Sequence, residues 1–162
     1  MKETILHPFE PIYDSGSRVL ILGTMPSPKS RELMFYYGHP QNRFWRILPD
    51  LFAEPPLQTI DAKVRFLLEH HIALWDVIGQ CEITGSSDSS IRNVIPNDLL
   101  PILQSAPVQR VFVNGGTAAK YYKKYQLPVT GIPAVQLPST SPANAAWTLP
   151  KLIAAWQILR EQ

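Results

Sequence analysis

Four short runs of aliphatic and β-branched residues, each closed by a small or polar residue, constrain this chain more than any other feature. They are Arg18-Val19-Leu20-Ile21-Leu22-Gly23, Ile72-Ala73-Leu74-Trp75-Asp76, Arg110-Val111-Phe112-Val113-Asn114 and Ala134-Val135-Gln136-Leu137-Pro138. A strand with one wet face alternates apolar and polar residues. A continuous apolar run instead reads as a strand buried on both faces. Helical patterns lie between the runs. Gln41 to Phe52 carries Phe44, Trp45, Ile47, Leu48 and Leu51, and Ile60 to His70 carries Ile60, Val64, Phe66, Leu67 and Leu68. Thr117 to Tyr125 follows Gly115-Gly116. Near the end, Leu149, Leu152, Ile153, Trp156 and Leu159 form an amphipathic stripe, with Pro150 in the first turn where its missing N–H costs nothing. Buried strands alternating with helices predict an α/β domain, a parallel sheet of about four strands with helices on both faces.

Length and composition fit a single domain over residues 1–162. A hydrophobic content of 45% against 17% charged residues supports a core and excludes a disordered chain. No apolar run is long enough to span a membrane, and the first residues lack the apolar segment of a signal peptide, so the chain is expected to be cytoplasmic. Cys81 is the only cysteine, which excludes an intrachain disulfide and a cysteine-based zinc site. His70 and His71, adjacent on a helix, point to different faces and are not expected to share a metal. A net charge of +2 is compatible with an anionic partner without demanding one. The 16 prolines sit beside the apolar runs and punctuate loops within the domain.

In a parallel sheet of this kind, ligands bind beyond the carboxyl ends of the strands. Gly23-Thr24-Met25-Pro26-Ser27-Pro28 follows the first strand, and then Phe35-Tyr36-Tyr37-Gly38-His39-Pro40-Gln41-Asn42-Arg43-Phe44-Trp45. Asp76 closes the second strand, with Gly85-Ser86-Ser87-Asp88-Ser89-Ser90 further on. Asn114-Gly115-Gly116 follows the third, and Pro138-Ser139-Thr140-Ser141-Pro142-Ala143-Asn144 the fourth. Each has an ordinary reading as well. The aromatics belong in part to the core, Asp76 is a candidate turn cap, Asn42 a candidate helix cap, and Gly115-Gly116 a common strand-to-helix loop. Neither GxGxxG, GxxxxGK(S/T) nor a G-x-S-x-G elbow is present. Polar, proline-stiffened loops at every strand end are the feature that ordinary readings leave unexplained.

Taken together, Ile21-Leu22-Gly23-Thr24-Met25-Pro26-Ser27, Tyr36-Tyr37-Gly38-His39-Pro40-Gln41-Asn42-Arg43-Phe44-Trp45, Ala73-Leu74-Trp75-Asp76-Val77-Ile78, Gly85-Ser86-Ser87-Asp88-Ser89 and Leu137-Pro138-Ser139-Thr140-Ser141-Pro142-Ala143 resemble the hypoxanthine-DNA glycosylases, a branch of the uracil-DNA glycosylase superfamily. The resemblance runs from about Arg18 to Trp156. It implies a three-layer α/β/α domain with a four-stranded parallel sheet, acting as a monomer on damaged DNA without metal or cofactor. The implied reaction hydrolyses the N-glycosidic bond of a flipped-out base and leaves an abasic site. Two departures from uracil-type members stand out: Thr24-Met25-Pro26 lacks their aspartate, and Leu137 replaces the histidine of their second motif. Both are features of the hypoxanthine branch. Ser27 replaces a glycine found in some members.

The same resemblance makes Asn42 the catalytic residue, its side-chain carbonyl expected to orient the attacking water. Thr24, Met25, Tyr37, Phe44 and Asp76 are expected around the base, with Tyr37 or Phe44 stacking on it. A carboxylate at Asp76 would accept the N1–H of hypoxanthine or the N3–H of uracil. Asp88 is a further polar candidate. Ser27, Ser139, Thr140, Ser141, Pro142 and Ala143 are expected to meet DNA, the short hydroxyls donating to phosphates. Arg43, Arg46 and Lys29 are candidate phosphate contacts, while Lys123 and Lys124 read as a solvated face. Competing readings are a uracil- or mismatch-specific glycosylase, a hydrolase of free nucleosides or nucleotides, and a nucleotide-binding module. The stiff loop after the fourth strand favours a polymer over the last two.

Overall fold

The computed structural model describes residues 2–84 and 88–161. Gly85, Ser86 and Ser87 lie outside the described residues, as does the side chain of Asp88, the further polar candidate.

In chain order the main elements are β1 (Lys2–Leu6), β2 (Val19–Gly23), α1 (Pro28–Leu33), α2 (Phe44–Leu51), α3 (Ile60–Glu69), β3 (Ile72–Asp76), β4 (Ile78–Thr84), β5 (Arg92–Pro96), α4 (Leu100–Ser105), β6 (Arg110–Asn114), α5 (Gly116–Tyr121), α6 (Leu127–Thr130), β7 (Ala134–Leu137) and α7 (Leu149–Trp156). The four predicted strands are β2, β3, β6 and β7. They form one parallel sheet in the order β3-β2-β6-β7. Period-2 geometry explains why their sequences are apolar throughout. Leu20 and Leu22 face a core shared with Val111, Val113, Ile102 and Ala118, while Ile21 faces a second core with Leu74, Phe112, Leu48 and Trp156. Helices α2, α3 and α7 build the second core.

The layer over the first core is where the structure adds most. Beyond Asp76 the chain leaves the parallel sheet as β4, which pairs antiparallel with β1 and β5. Ile5, Ile78, Cys81 and Ile83 from this small sheet pack beside α4 and α5 against Leu20 and Leu22. The residues joining β1 to β2 run along the free edge of β3, where Ile12 and Leu74 exchange backbone hydrogen bonds of 2.9 Å in both directions. Helix ends follow local chemistry: Ser27, Thr59 and Thr148 cap α1, α3 and α7 by accepting from Ser30, Ala62 and Lys151 N–H groups. A π-helical turn over Tyr122–Gln126 links α5 to α6, and its buried Gln126 donates to the carbonyls of Val77 and Asn97. Lys123 and Lys124 on that turn are exposed, as expected of a solvated face.

The order β3-β2-β6-β7 puts a switch point between β2 and β6: the chain leaves β2 toward one side and returns to the other. Loops there diverge and open a crevice at the carboxyl ends of the strands.

Candidate active site

That crevice is a cleft of about 1030 Å³, and the last residue of each parallel strand lines it: Gly23, Asp76, Asn114 and Leu137. Thr24, Met25, Ser27, Tyr37, Asn42, Asp76, Ser139, Thr140, Ser141, Pro142 and Ala143, all predicted site residues, line the same cleft. So do Arg31, Tyr36, His39, Asn114, Thr117 and Gln136, which were not singled out as site residues from the sequence.

Phe44 is the exception. It is fully buried at the start of α2, edge-on to Trp45 and Trp156, and Tyr37 stacks on it at 4.0 Å between centroids. Phe44 therefore supports Tyr37 from beneath, and only Tyr37 faces the cleft. Tyr37 holds a left-handed backbone, φ 52°, a conformation that costs a non-glycine residue of order 1 kcal/mol or more and concentrates at functional sites. Its hydroxyl is buried and makes no hydrogen bond among the described residues, though Asp76 and Asn114 face it. Burial, reinforced by Asp76, pushes the Tyr37 phenol well above its ordinary range, and burial does the same to Tyr36. Both phenols stay protonated at any working pH, so Tyr37 is an uncommitted donor. In Tyr37→Phe we expect an unchanged or slightly raised melting temperature, because an unpaired buried hydroxyl costs roughly 1–3 kcal/mol.

Asn42 sits between two loops. Its Oδ1 accepts from the Phe44 N–H at 3.0 Å and from the Thr140 hydroxyl at 2.8 Å. Thr140 Oγ1 in turn accepts from Asn114 Nδ2 at 3.0 Å, and Asn114 Oδ1 accepts from the Thr140 N–H at 3.1 Å. Backbone N–H groups only donate, so Phe44 and Thr140 fix both amides: an oxygen must face each. The whole chain of bonds then has one direction, from Asn114 through Thr140 to Asn42. Both lone pairs of Asn42 Oδ1 are occupied, and its Nδ2 hydrogens have no acceptor among the described residues. The oxygen expected to orient water is thus engaged within the protein, and the NH₂ is the free group of the amide. The helix-cap reading of Asn42 shifts by one residue: the cap position of α2 is Arg43, without a side-chain cap bond, and Asn42 holds the N–H of Phe44 from the residue before it.

Thr140 needs a parallel correction. It is fully buried, and its hydroxyl is committed to Asn42 rather than open to a phosphate. Ser27 likewise commits its hydroxyl to α1, accepting from Ser30 N–H and donating to Ser30 Oγ. Ser139 and Ser141 differ. Each accepts a backbone N–H two residues on, at 3.1 and 3.2 Å, and keeps its hydroxyl proton for another acceptor.

Arg43 is not a free phosphate contact. Its guanidinium donates to the carbonyls of Ser141 at 2.9 Å, Asn144 at 3.2 Å, Thr140 at 3.4 Å and Trp147. One fork thus ties the loop after β7 to the start of α2 and sets the spacing between Thr140 and Asn42. In Arg43→Ala we expect stability to fall by about 2–4 kcal/mol as several charge-assisted bonds go and carbonyls are left unpaired. Thermal melting checks this; Arg43→Lys should rescue little, because one ammonium cannot replace a planar fork. Lys29 keeps only a 3.7 Å contact to Glu32, and Arg46 is exposed, so both remain open to an anion.

Two glycines shape the cleft. Gly115 has φ 98°, and a Cβ there would stand 3.0 Å from Ser139 Cβ. At Gly23 a Cβ would lie 2.5 Å from Asp76 Oδ1 and 2.8 Å from the Tyr37 hydroxyl. Among the described residues no group of three or more His, Cys, Asp or Glu could hold a metal ion, and no helix is long and apolar enough to cross a membrane.

Residues 10–160 match the family model of the uracil DNA glycosylase superfamily. The chain belongs to that superfamily. A hypoxanthine DNA glycosylase of Methanosarcina acetivorans is 34% identical over 138 residues, 84% of this chain and 86% of the relative. One of Methanosarcina barkeri is 34% identical over 116 residues, 70% and 73% of the two chains. Among solved structures, a Methanosarcina acetivorans protein determined by solution NMR under a provisional uracil DNA glycosylase description superposes with a TM-score of 0.78. It is 30% identical, covering 94% of this chain and 97% of its own. The likeness covers the α/β fold with its four-stranded parallel sheet, and the family and its relatives support a DNA glycosylase function.

Proposed function

We propose that the protein is a monofunctional glycosylase that hydrolyses the N-glycosidic bond of hypoxanthine in DNA, as a cytoplasmic monomer needing no metal. It would leave an abasic site for base excision repair. The observation that carries this reading is Asn42, held by Thr140 and Phe44 with its NH₂ free at the cleft. The two relatives described as hypoxanthine DNA glycosylases support the choice of base.

Breaking the bond builds positive charge on the sugar and negative charge on the departing base, so fixed donors around the base stabilise the transition state. Asn42 Nδ2 and the Tyr37 hydroxyl are neutral donors that need no reorganisation. One Nδ2–H accepted by a water oxygen would hold that water while its second lone pair bonds to the sugar carbon; the C–N electron pair leaves with the base, and the proton lost by the added water passes to bulk water or to the departing base. An amide cannot deprotonate the water, so its part is positioning. Tyr37 offers a face to the flipped base, and Asp76 an acceptor. Ser139 and Ser141 donate to phosphates, with Pro142 stiffening their loop against the duplex.

Single-turnover incubation of duplexes carrying deoxyinosine, deoxyuridine or a G·T mismatch, followed by alkali, tests the reading. Alkali-dependent breaks at deoxyinosine are expected, and no break without alkali. A duplex-binding constant that falls steeply with salt separates a DNA enzyme from a monomer hydrolase. Uracil is the second substrate to consider. Its N3–H can meet Asp76 as the N1–H of hypoxanthine does.

A further inference from the structure

His7 belongs to no pattern in the sequence, yet it is the buried partner of Asp76. It follows β1, its backbone N–H donating to the Gly79 carbonyl at 2.7 Å. Its side chain is 4% exposed, among the rings of Phe9, Tyr36 and Trp75. Both ring nitrogens are engaged: Nδ1 lies 2.9 Å from the Phe9 carbonyl oxygen and Nε2 2.7 Å from Asp76 Oδ2. A carbonyl only accepts, so Nδ1 carries a proton. A neutral ring of that tautomer would turn a bare lone pair on a bare carboxylate oxygen. A second proton therefore lies in the Nε2–Oδ2 bond, formally on either partner. In both cases Oδ1 has none.

We propose that His7 is the positioning residue of the base-reading carboxylate: by confining the pair's proton to Oδ2, it makes Asp76 Oδ1 an obligate acceptor at the floor of the cleft, matched to the ring N–H that deamination creates. The chemistry of the bases gives this its meaning. Adenine N1 and cytosine N3 are acceptors; deamination turns them into the N1–H of hypoxanthine and the N3–H of uracil. An obligate acceptor attracts the deaminated ring and meets the undamaged one lone pair to lone pair. Nothing but Gly23 at the end of β2 leaves room for it, since a Cβ there would come within 2.5 Å of Oδ1. The titratable groups facing the pair are Tyr36 and Tyr37, with Glu10 beyond Tyr36. The Tyr36 hydroxyl donates to the Glu10 carbonyl at 2.8 Å, and both phenols stay protonated, so neither takes the pair's proton.

The proposal rests on Asp76 reading a ring N–H in the glycosylase reaction. In His7→Ala the carboxyl is buried without a partner, which favours its protonated form, a donor on either oxygen. Base release from deoxyinosine duplex should fall about 30-fold near pH 7 and return as pH rises and the carboxylate re-forms. Asp76→Asn should stay within about tenfold of wild type, because Asn Nδ2 can donate to a neutral His7 while Oδ1 still faces the cleft. In the double variant the pH dependence should vanish. Loss of activity at every pH in a folded His7→Ala variant, with no pH-independent activity in the double variant, would reduce His7 to packing.

Proton NMR of the whole chain without DNA supplies a readout independent of activity: a second protected, downfield proton beside that on Nδ1, lost in Asp76→Asn. Its absence from the wild type overturns the proposal. Should the wild type leave deoxyinosine intact, the hypoxanthine reading fails by itself. The NMR then still decides the pair, and deoxyuridine duplex carries the pH series.

Discussion

Asn42→Ala should abolish base release, with a single-turnover rate at least about 10³-fold below wild type, on the scale of losing a donor at the developing charge together with the held water. Duplex binding should survive, because the hydroxyls proposed to meet phosphates, those of Ser139 and Ser141, lie on another loop. Truncation also strands the Thr140 hydroxyl and the Phe44 N–H, so stability should drop by about 1–3 kcal/mol. Asn42→Asp separates the two atoms of the amide. Its Oδ1 can keep both bonds that Asn42 accepts, so melting should stay close to wild type. Its second oxygen replaces the NH₂ and, when ionised, offers no proton. Activity should therefore be low at neutral pH and rise as pH falls through the carboxyl range, where that oxygen regains a hydrogen to donate. An Asn42→Asp enzyme that works best at high pH would show that the site needs an acceptor, and would return the role to a carbonyl.

Gly23→Ala should be almost as damaging, for a steric reason. The new methyl would stand 2.5 Å from Asp76 Oδ1 and 2.8 Å from the Tyr37 hydroxyl, and neither can withdraw freely. Asp76 is held from behind by His7, and Tyr37 is stacked on a fully buried Phe44. Overpacking of this kind costs about 1–3 kcal/mol of stability. Activity should fall by about 10²-fold or more, because misplacing reacting groups by an ångström costs that much. Adding Tyr37→Phe removes one of the two clashes, so the double variant should regain part of the melting temperature but not the activity. Wild-type activity in a well-folded Gly23→Ala variant would mean that neither Oδ1 nor the Tyr37 hydroxyl matters where it stands.

The parts legible in the sequence are those whose signal is local. Val19–Gly23 and Arg110–Asn114 announce themselves as strands because both faces are buried, and the stripe from Leu149 to Leu159 announces α7. The antiparallel sheet is a different case. Lys2–Leu6 and Arg92–Pro96 are short and largely exposed, and each buries so few side chains that no periodicity develops. His7 stayed hidden for the same reason: it follows an inconspicuous strand, and its partner is 69 residues away. Arg43, Thr140 and Ser27 have the composition of DNA contacts, yet their polar atoms are bound within the protein. Composition identifies which groups can donate; it does not say which are already taken.

The residues by themselves therefore determined a four-stranded parallel sheet, a candidate site at its carboxyl edge and, by likeness of motifs, its family. Burial period and strand-end chemistry are written along the chain. Only the tertiary structure decided which atom of Asn42 is free, that Phe44 lies under Tyr37 and that Asp76 has a buried histidine behind it. Hydrogen-bond direction and ring stacking depend on groups that folding brings together, and Asn42 and Thr140 are 98 residues apart until it does.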